Sequence, residues 1–440
     1  MKKIVQFIFI AALLPLGMMA QTSQTLTISQ AVQLGMSNSK QLKLDTAKIE
    51  QTKMKQLQVN DAALPNVSIN AGYSRLSPID PVTFLFPGNP EPVTLFPVIL
   101  NNYTTRASIS EGVFNGWKLK YAQESYGYLN QAALLDVEKD KAEVHFNILS
   151  AYVSFAKLKL SQQIVDNNIA TAKKRVEELT AQRDKGIVME NDVLKAQLFQ
   201  SNLELTKSDI DNSVSVSQYN LCLLLGLPAN TNINIDTTGM FAAITLNAES
   251  AYENDALARR SEKKASEART SASQSNVSMA KSVYYPSVNV GANYYFARPN
   301  QRIIPFVDEF RSTWDVGVSL SWNLTSLYTG KHSVQDAQVQ YLQAQVQTDI
   351  LSDNIRMEVF QNYSACQNAI NKISTLGLAV QQAAENSRLV KVRYDQQAAL
   401  MSEVLDAESA LLQAQVNLIL QKADAQVAYY RLQKSAAELN

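Results

Sequence analysis

WDVGVSLSWNLT, Trp314–Thr325, alternates without a break. Trp314, Val316, Val318, Leu320, Trp322 and Leu324 share one side; Asp315, Gly317, Ser319, Ser321 and Asn323 share the other. A period of two is that of a β-strand with one apolar and one polar face. The polar face is made of small groups, and a tryptophan stands near each end of the apolar one. That is the composition of a barrel strand facing lipid, with aromatics at the interfaces and small polar groups toward the lumen. A strand over an ordinary core would share the alternation but would not require this composition.

The pattern recurs. YPSVNVGANYYFARP, 285–299, precedes the opening stretch, and LPNVSINAGYSRLSP, 64–78, with YTTRASISEGVF, 103–114, forms an earlier pair. Val67, Ile69, Ala71 and Tyr73 match Val288, Val290, Ala292 and Tyr294 at one constant offset. Tyr103 matches Trp314 at a second offset, which persists to NDVLKAQ and SEVLDAE, where Val193-Leu194 match Val404-Leu405. The chain is two tandem copies of one plan, helix, strand, strand, long helix, tight turn, helix, with boundaries expected at 21–240 and 241–440. Strands are expected at about 65–76, 103–114, 286–297 and 313–324. Glu111, in the place of Trp322, breaks the apolar face of the first copy and belongs at a periplasmic rim, because a mid-bilayer carboxylate is costly. Four strands cannot close a barrel in lipid, where open edges leave backbone groups unsatisfied and closure needs about eight strands or more. Two chains would supply eight strands and three would supply twelve.

Between the strand pairs the chain reads as helix. No proline occurs from Gly116 to Gly186, or after Pro305. Helices of about 70 residues are roughly 100 Å long and must pack side by side as a coiled coil or a tube. Leu411, Leu418, Ala425 and Leu432 recur every seventh residue, and Leu405, Leu412 and Ile419 form an adjoining row. Two seams suit a helix with neighbours on both sides. The long helices reverse at RDKGIVMEND and YDQQAALMSE, turns at about 183–192 and 394–403, and GLPANTNINIDTTG, 226–239, joins the copies.

Other features bound the function. MKKIVQFIFIAALLPLGMMA, residues 1–20, has the two lysines, apolar core and small-residue end of a secretory signal peptide. Basic and acidic residues number 40 each, so no net field points to nucleic acid. Cys222 and Cys366 lie far apart and are expected as buried thiols. His145 and His332 lie in helical stretches without metal spacing, nucleophile motif or phosphate loop, so no enzyme, cofactor or metal centre is expected. The Pro-rich PIDPVTFLFPGNPEPVTLFP, 78–97, with Phe84, Phe86 and Phe96, is expected as a stiff outer loop.

Taken in order, LTISQAVQLGMSNSKQLKL, LPNVSINAGY, YPSVNVGANY, LLLGLP, KGIVMENDVLKAQ and RYDQQAALMSEVLDAE resemble the TolC family of outer membrane efflux proteins across nearly the whole mature chain. The resemblance implies a mainly α protein with a small β part. It implies a homotrimer in the outer membrane of a Gram-negative bacterium, whose shared 12-stranded transmembrane β-barrel, four strands per chain, continues into a long periplasmic α-barrel that closes at its far end. It further implies a passive exit duct of tripartite efflux or type I secretion, with a periplasmic adaptor (membrane fusion) protein, an inner-membrane transporter and outer-membrane lipid as partners.

In that family a glycine ends the long helix and an acidic residue opens the next, six positions on. Here these are Gly186 with Asp192, and in the second copy Gln397 with Glu403, so the second glycine is missing. Glu403 and Asp406 are implied to ring the pore at its narrow end and Tyr394 to help hold it shut, while Ala399 stands where the family's pattern has a basic residue. The competing reading puts both carboxylates in the first turn of a helix, meeting its dipole, with Ser402 as cap. Gly186, Asp192, Val193, Leu194, Gln397, Val404 and Leu405 are the expected adaptor-contact tips, although Val193-Leu194 and Val404-Leu405 also read as core. The alternative is a periplasmic coiled-coil structural or adaptor protein, which explains the heptads but not the strands.

Overall fold

The structure, a computed structural model, describes residues 24–95, 98–237 and 240–439. The signal peptide and Phe96 lie outside them. In chain order the elements are β1 (Gln24–Leu26), α1 (Ile28–Asn38), α2 (Lys40–Asp61), β2 (Asn66–Arg75), β3 (Thr83–Phe84), β4 (Val93–Thr94), β5 (Asn101–Phe114), α3 (Lys118–Asp184) and α4 (Glu190–Leu225). There follow β6 (Ile233–Ile235), α5 (Glu249–Arg259), α6 (Ser261–Ala280), β7 (Ser287–Arg298), β8 (Arg311–Ser321), α7 (Ser326–Asp395) and α8 (Met401–Ser435). The proline-free stretches are thus single helices, α3 of 67 residues and α7 of 70.

The chain forms two compact units that cut across the repeats. One takes the described residues up to Leu42 together with Lys141–Ala258 and Met357–Asn440; the other takes Lys43–Asp140 and Arg259–Arg356. Each therefore draws on both copies.

The second unit holds the four-stranded antiparallel sheet, ordered β2-β5-β7-β8. The two strand pairs meet at β5 and β7, where Ile109 faces Ala292 and Tyr103 faces Arg298, so β2 and β8 are left as open edges. The chain leaves β5 for α3 through Gly116, at φ 67°. A Cβ there would lie 2.8 Å from the Ser282 carbonyl oxygen and 2.9 Å from Tyr285 Cβ. Only glycine fits that turn.

In the first unit, Ile148, Tyr152 and Phe155 of α3 pack with Leu221, Cys222 and Leu225 of α4 and with Leu26 and Ile233. Leu26 and Ile233 belong to β1 and β6, which pair in parallel, and the Tyr152 hydroxyl donates to the Leu26 carbonyl at 2.6 Å. Of the heptad positions, Ala425 and Leu432 are buried, whereas Leu411, Leu418 and Ile419 are half-buried along an open groove. Cys222 and Cys366 are buried free thiols.

Candidate functional site: a two-faced sheet and paired helix turns

On β8 the alternation becomes geometry. Trp314, Val316, Val318 and Leu320 are 75%, 66%, 71% and 67% exposed, and Val67, Ile69, Tyr73 and Tyr294 on β2 and β7 are also exposed. A water-facing surface of this composition is costly at about 25 cal/mol per Å². The opposite face carries Ser68, Ser108, Asn289, Ser319 and Ser321, and Ser68 and Ser108 share a hydrogen bond of 2.8 Å.

Aromatics bracket the apolar band. At the helix end Trp117 stands between Phe114 and Tyr285, at 4.9 and 5.3 Å, and the Trp322 indole donates to the Tyr284 carbonyl. At the hairpin end Tyr73 and Tyr103 lie 4.9 Å apart, and Phe310 stacks on Phe296. Trp314 and Trp322 are about 26 Å apart along an extended strand at ~3.3 Å per residue, which suits a hydrocarbon band about 25 Å tall. Glu111 pairs with Val290 near the helix end of β5, and two residues on the strand's register shifts. The sheet has an exposed apolar face, a small-polar face and two unpaired edges. A soluble coiled coil or an adaptor does not account for it.

The helix turns lie in the other unit. Gly186 sits at φ 73°. Its N–H donates to the Arg183 carbonyl at 2.8 Å, and that of Ile187 donates to the Gln182 carbonyl at 2.9 Å. Gln397, at φ 59°, repeats the motif: its N–H reaches the Tyr394 carbonyl and that of Ala398 reaches the Arg393 carbonyl, both at 2.8 Å. Both long helices therefore end in the same left-handed cap, one of them without the glycine that makes it easy.

Beneath the turns Val193, Val404 and Leu405 are buried with Leu179, Ala196 and Met401, and Tyr394 packs against this cluster. These valines and Leu405 are core. Leu194, by contrast, is 54% exposed. Tyr394 is half-buried; burial, with Asp192 nearby, raises its hydroxyl pKa. The structure thus joins the two turns through one small core.

The carboxylates differ in their contacts. α8 begins at Met401 with Leu400 as N-cap, so Ser402 does not cap it. Glu403 Oε1 accepts the Leu400 N–H at 3.3 Å, and its other oxygen lies 3.8 Å from Arg393. Asp406, one turn on, is exposed and carries no hydrogen bond or ion pair to a described residue. Farther from the turn, Arg175 of α3 and Glu408 of α8 form an ion pair of 2.7 Å with side chains 12% and 17% exposed. Burial pushes the Glu408 carboxyl pKa up, against the pull of Arg175.

Sequence reasoning missed the exposed tips themselves. Ile187, Met189 and Leu400 are 62%, 76% and 68% exposed. Met189 and Leu400 hold matching N-cap positions and make no side-chain cap hydrogen bond. A Ser or Asp there would stabilise its helix by about 1 kcal/mol. An apolar residue directly before an acidic first turn was the available signal.

Residues 253–438 match the model of the outer membrane efflux protein family. Among solved structures, the chain is similar to CusC, whose report describes transmembrane channel formation, with a TM-score of 0.78 at 15% identity over 93% of this chain and 91% of that one. It is similar to the outer membrane protein VceC of Vibrio cholerae, with a TM-score of 0.73 at 18% identity over 93% and 95%. It is also similar to the CmeC outer membrane channel of Campylobacter jejuni, with a TM-score of 0.73 at 16% identity over 93% and 85%. At such identities the likeness concerns the fold. No curated relative matches the chain in sequence.

Proposed function

We propose that this chain, a member of the outer membrane efflux protein family, is the outer-membrane exit duct of a tripartite efflux system. The observation that carries this reading is the two-faced sheet: apolar and exposed on one side, small and polar on the other, bracketed by aromatics and open at both edges. Such a sheet is stable in a bilayer only when other copies cover its edges. Three chains of four strands give a twelve-stranded barrel with the serine and asparagine face toward water.

The duct is passive. Energy comes from an inner-membrane transporter, and a periplasmic adaptor links the two. Ile187, Met189, Leu194 and Leu400 are the apolar tips on which the adaptor docks, with Gly186, Asp192 and Gln397 shaping the turns. Val193, Val404 and Leu405 act beneath them as the core that joins the turns. Opening is a rearrangement of the helix pairs, biased by the adaptor's preference for one arrangement.

Asp406 is the pore carboxylate in this scheme, repeated around a three-fold axis as a ring that attracts cations. Glu403 contributes less, because it caps its own helix and lies beside Arg393. Tyr394 braces the closed end from the core side, and the Arg175–Glu408 pair ties the first-copy helix to the second.

Single-channel recording in planar bilayers tests the scheme. The wild type should conduct as a heat-modifiable trimer, Asp406→Ala should lose most of its cation preference, and Glu403→Ala should lose little. Unchanged selectivity in the double variant would remove the ring, and a monodisperse monomer in plain buffer would remove the duct.

A further inference from the structure

At the hairpin end of the sheet, a charged network joins the polar face to the loop between β7 and β8. The loop, residues 299–310, is held down by Asn300, which is 3% exposed. Asn300 Nδ2 donates to the Arg311 carbonyl at 3.0 Å and to Thr313 Oγ1 at 3.3 Å, and its Oδ1 accepts the Arg302 N–H at 3.0 Å. This brings Arg302 over the polar face, where its Nη1 donates to Asp315 at 2.5 Å and its guanidinium lies 4.4 Å from the Tyr295 ring centroid. A second guanidinium, Arg106 of β5, lies 5.4 Å from the same ring.

Arg106 donates twice to Asn293 Oδ1, at 3.2 and 2.8 Å, and Asn293 Nδ2 donates to Asp315 at 2.7 Å. The network therefore has two guanidiniums and one carboxylate. Arg302 takes the carboxylate; Arg106 is hydrogen-bonded only to a neutral amide, and no described carboxylate is within ion-pair distance of it. Between them is a cavity of about 460 Å³ lined by Asn70, Thr104, Arg106, Tyr295, Asn300 and Arg302. Of the remaining charges at this end, Arg298 pairs with Asp308 and Arg311 with Glu309, while Arg75, Asp80 and Glu91 belong to the other hairpin, between β2 and β5. The rest of the polar face is serine, threonine, asparagine and glycine.

We propose that this cavity is an anion site at the outer end of the barrel, which takes carboxylate- or phosphate-bearing solutes through Arg106 and Arg302. Guanidiniums bind such groups bidentately. Asn70 adds an amide to the cavity wall, Asn300 and Thr104 shape it while donating to the Arg311, Thr313 and Gly72 oxygens, and strands whose polar face otherwise carries no unpaired charge concentrate the field there. The site rests on the barrel reading given above. It is distinct from the helix turns in position and in sign, so the duct would carry a cation-attracting ring at the turns and a weak anion filter at its outer mouth.

The test is block by inorganic tripolyphosphate of purified protein in planar bilayers, added first on the side of the barrel loops and then on the opposite side. The wild type should be blocked at lower concentration from the loop side. Arg106→Gln should raise the half-blocking concentration at least tenfold, and Arg106→Lys, which keeps the charge but not the fork, should fall between. Reversal potentials in a KCl gradient should shift toward potassium in Arg106→Gln and not in the control Ser319→Asn. Channels that conduct normally but show no side-dependent block, or equal block in Arg106→Gln, overturn the site alone. Failure of the wild type to form channels overturns the duct, and the site with it.

Discussion

Arg175→Met removes the guanidinium that lies 2.7 Å from Glu408 while keeping an unbranched side chain in its place. Stranding one partner of an enclosed ion pair costs about 3–5 kcal/mol. Side chains 12% and 17% exposed place this pair at the lower end, about 3 kcal/mol. At about 1.4 kcal/mol per tenfold, local opening around the pair becomes roughly a hundredfold more frequent. Amide hydrogen exchange of the purified protein reads this directly. Peptides covering 170–180 and 401–412 should lose about a hundredfold of protection, while those at β1 and β6 keep theirs.

The pH dependence supplies the sharper check. Burial raises the folded Glu408 pKa and Arg175 draws it back down, so removing Arg175 raises it further. An acid with a raised folded pKa holds its proton more tightly folded than unfolded, so its contribution to stability falls as pH climbs through the folded value. The loss in Arg175→Met should be largest near pH 7–8 and shrink as pH falls toward the ordinary carboxylate range. Adding Glu408→Gln should restore much of the protection at neutral pH, because a buried amide has no charge to desolvate. A deficit independent of pH, or a double variant no better than the single, would refute the argument that a stranded charge is the cause.

Other expectations follow from single positions. Gly186→Ala adds a Cβ that meets nothing within 4 Å, so its cost is that of a left-handed backbone alone, about 1 kcal/mol; Gln397→Gly should gain about 0.5 kcal/mol at the matching cap, and opposite shifts in melting temperature check both. Val318→Arg on the exposed apolar face should cost about 2–4 kcal/mol in the membrane and deplete the outer-membrane fraction, whereas Ser319→Arg, one residue on and facing the other way, should insert normally. Burial pushes the Cys366 thiol up to about 11, so maleimide at pH 8 should label it only after denaturation.

How much of this was legible in sequence depended on whether a signal was local. The strands were, because a two-faced sheet in lipid must alternate along its whole length, and β8 does so from Trp314 to Leu320. The long helices were, because proline is absent across α3 and α7. The β1–β6 pairing was not: three residues on each side carry no period, and Leu26 meets Ile235 only once α3 and α4 have folded. Gly186 announced its turn, but Gln397 adopts the same left-handed cap without the residue that signals it. In sequence Glu403 is evenly poised between pore and helix-end readings while Asp406 leans to the pore, but nothing in SEVLDAE shows that Glu403 reaches back to the Leu400 N–H. Arg175 and Glu408 lie on different copies and could be joined only by the fold.

The two copies agree at core and sheet-face positions and differ at two exposed charges that the proposals above use. Val193 and Val404 fill the same core, and Ile69 and Val290 the same apolar face. Asp406, however, falls where the first copy has Lys195, and Arg106 where the second has Gly317. Had duplication alone set the chemistry, a trimer of two-copy chains would present these charges six-fold. Divergence at these two exposed positions would present each charge three times in a trimer, against neutral or opposite groups in between. A ring of three charges leaves gaps that a passing solute can use, whereas six of one sign would oppose the helices' close approach. The departures from internal symmetry are therefore the places to look for selectivity, and the matching positions are the places to look for stability.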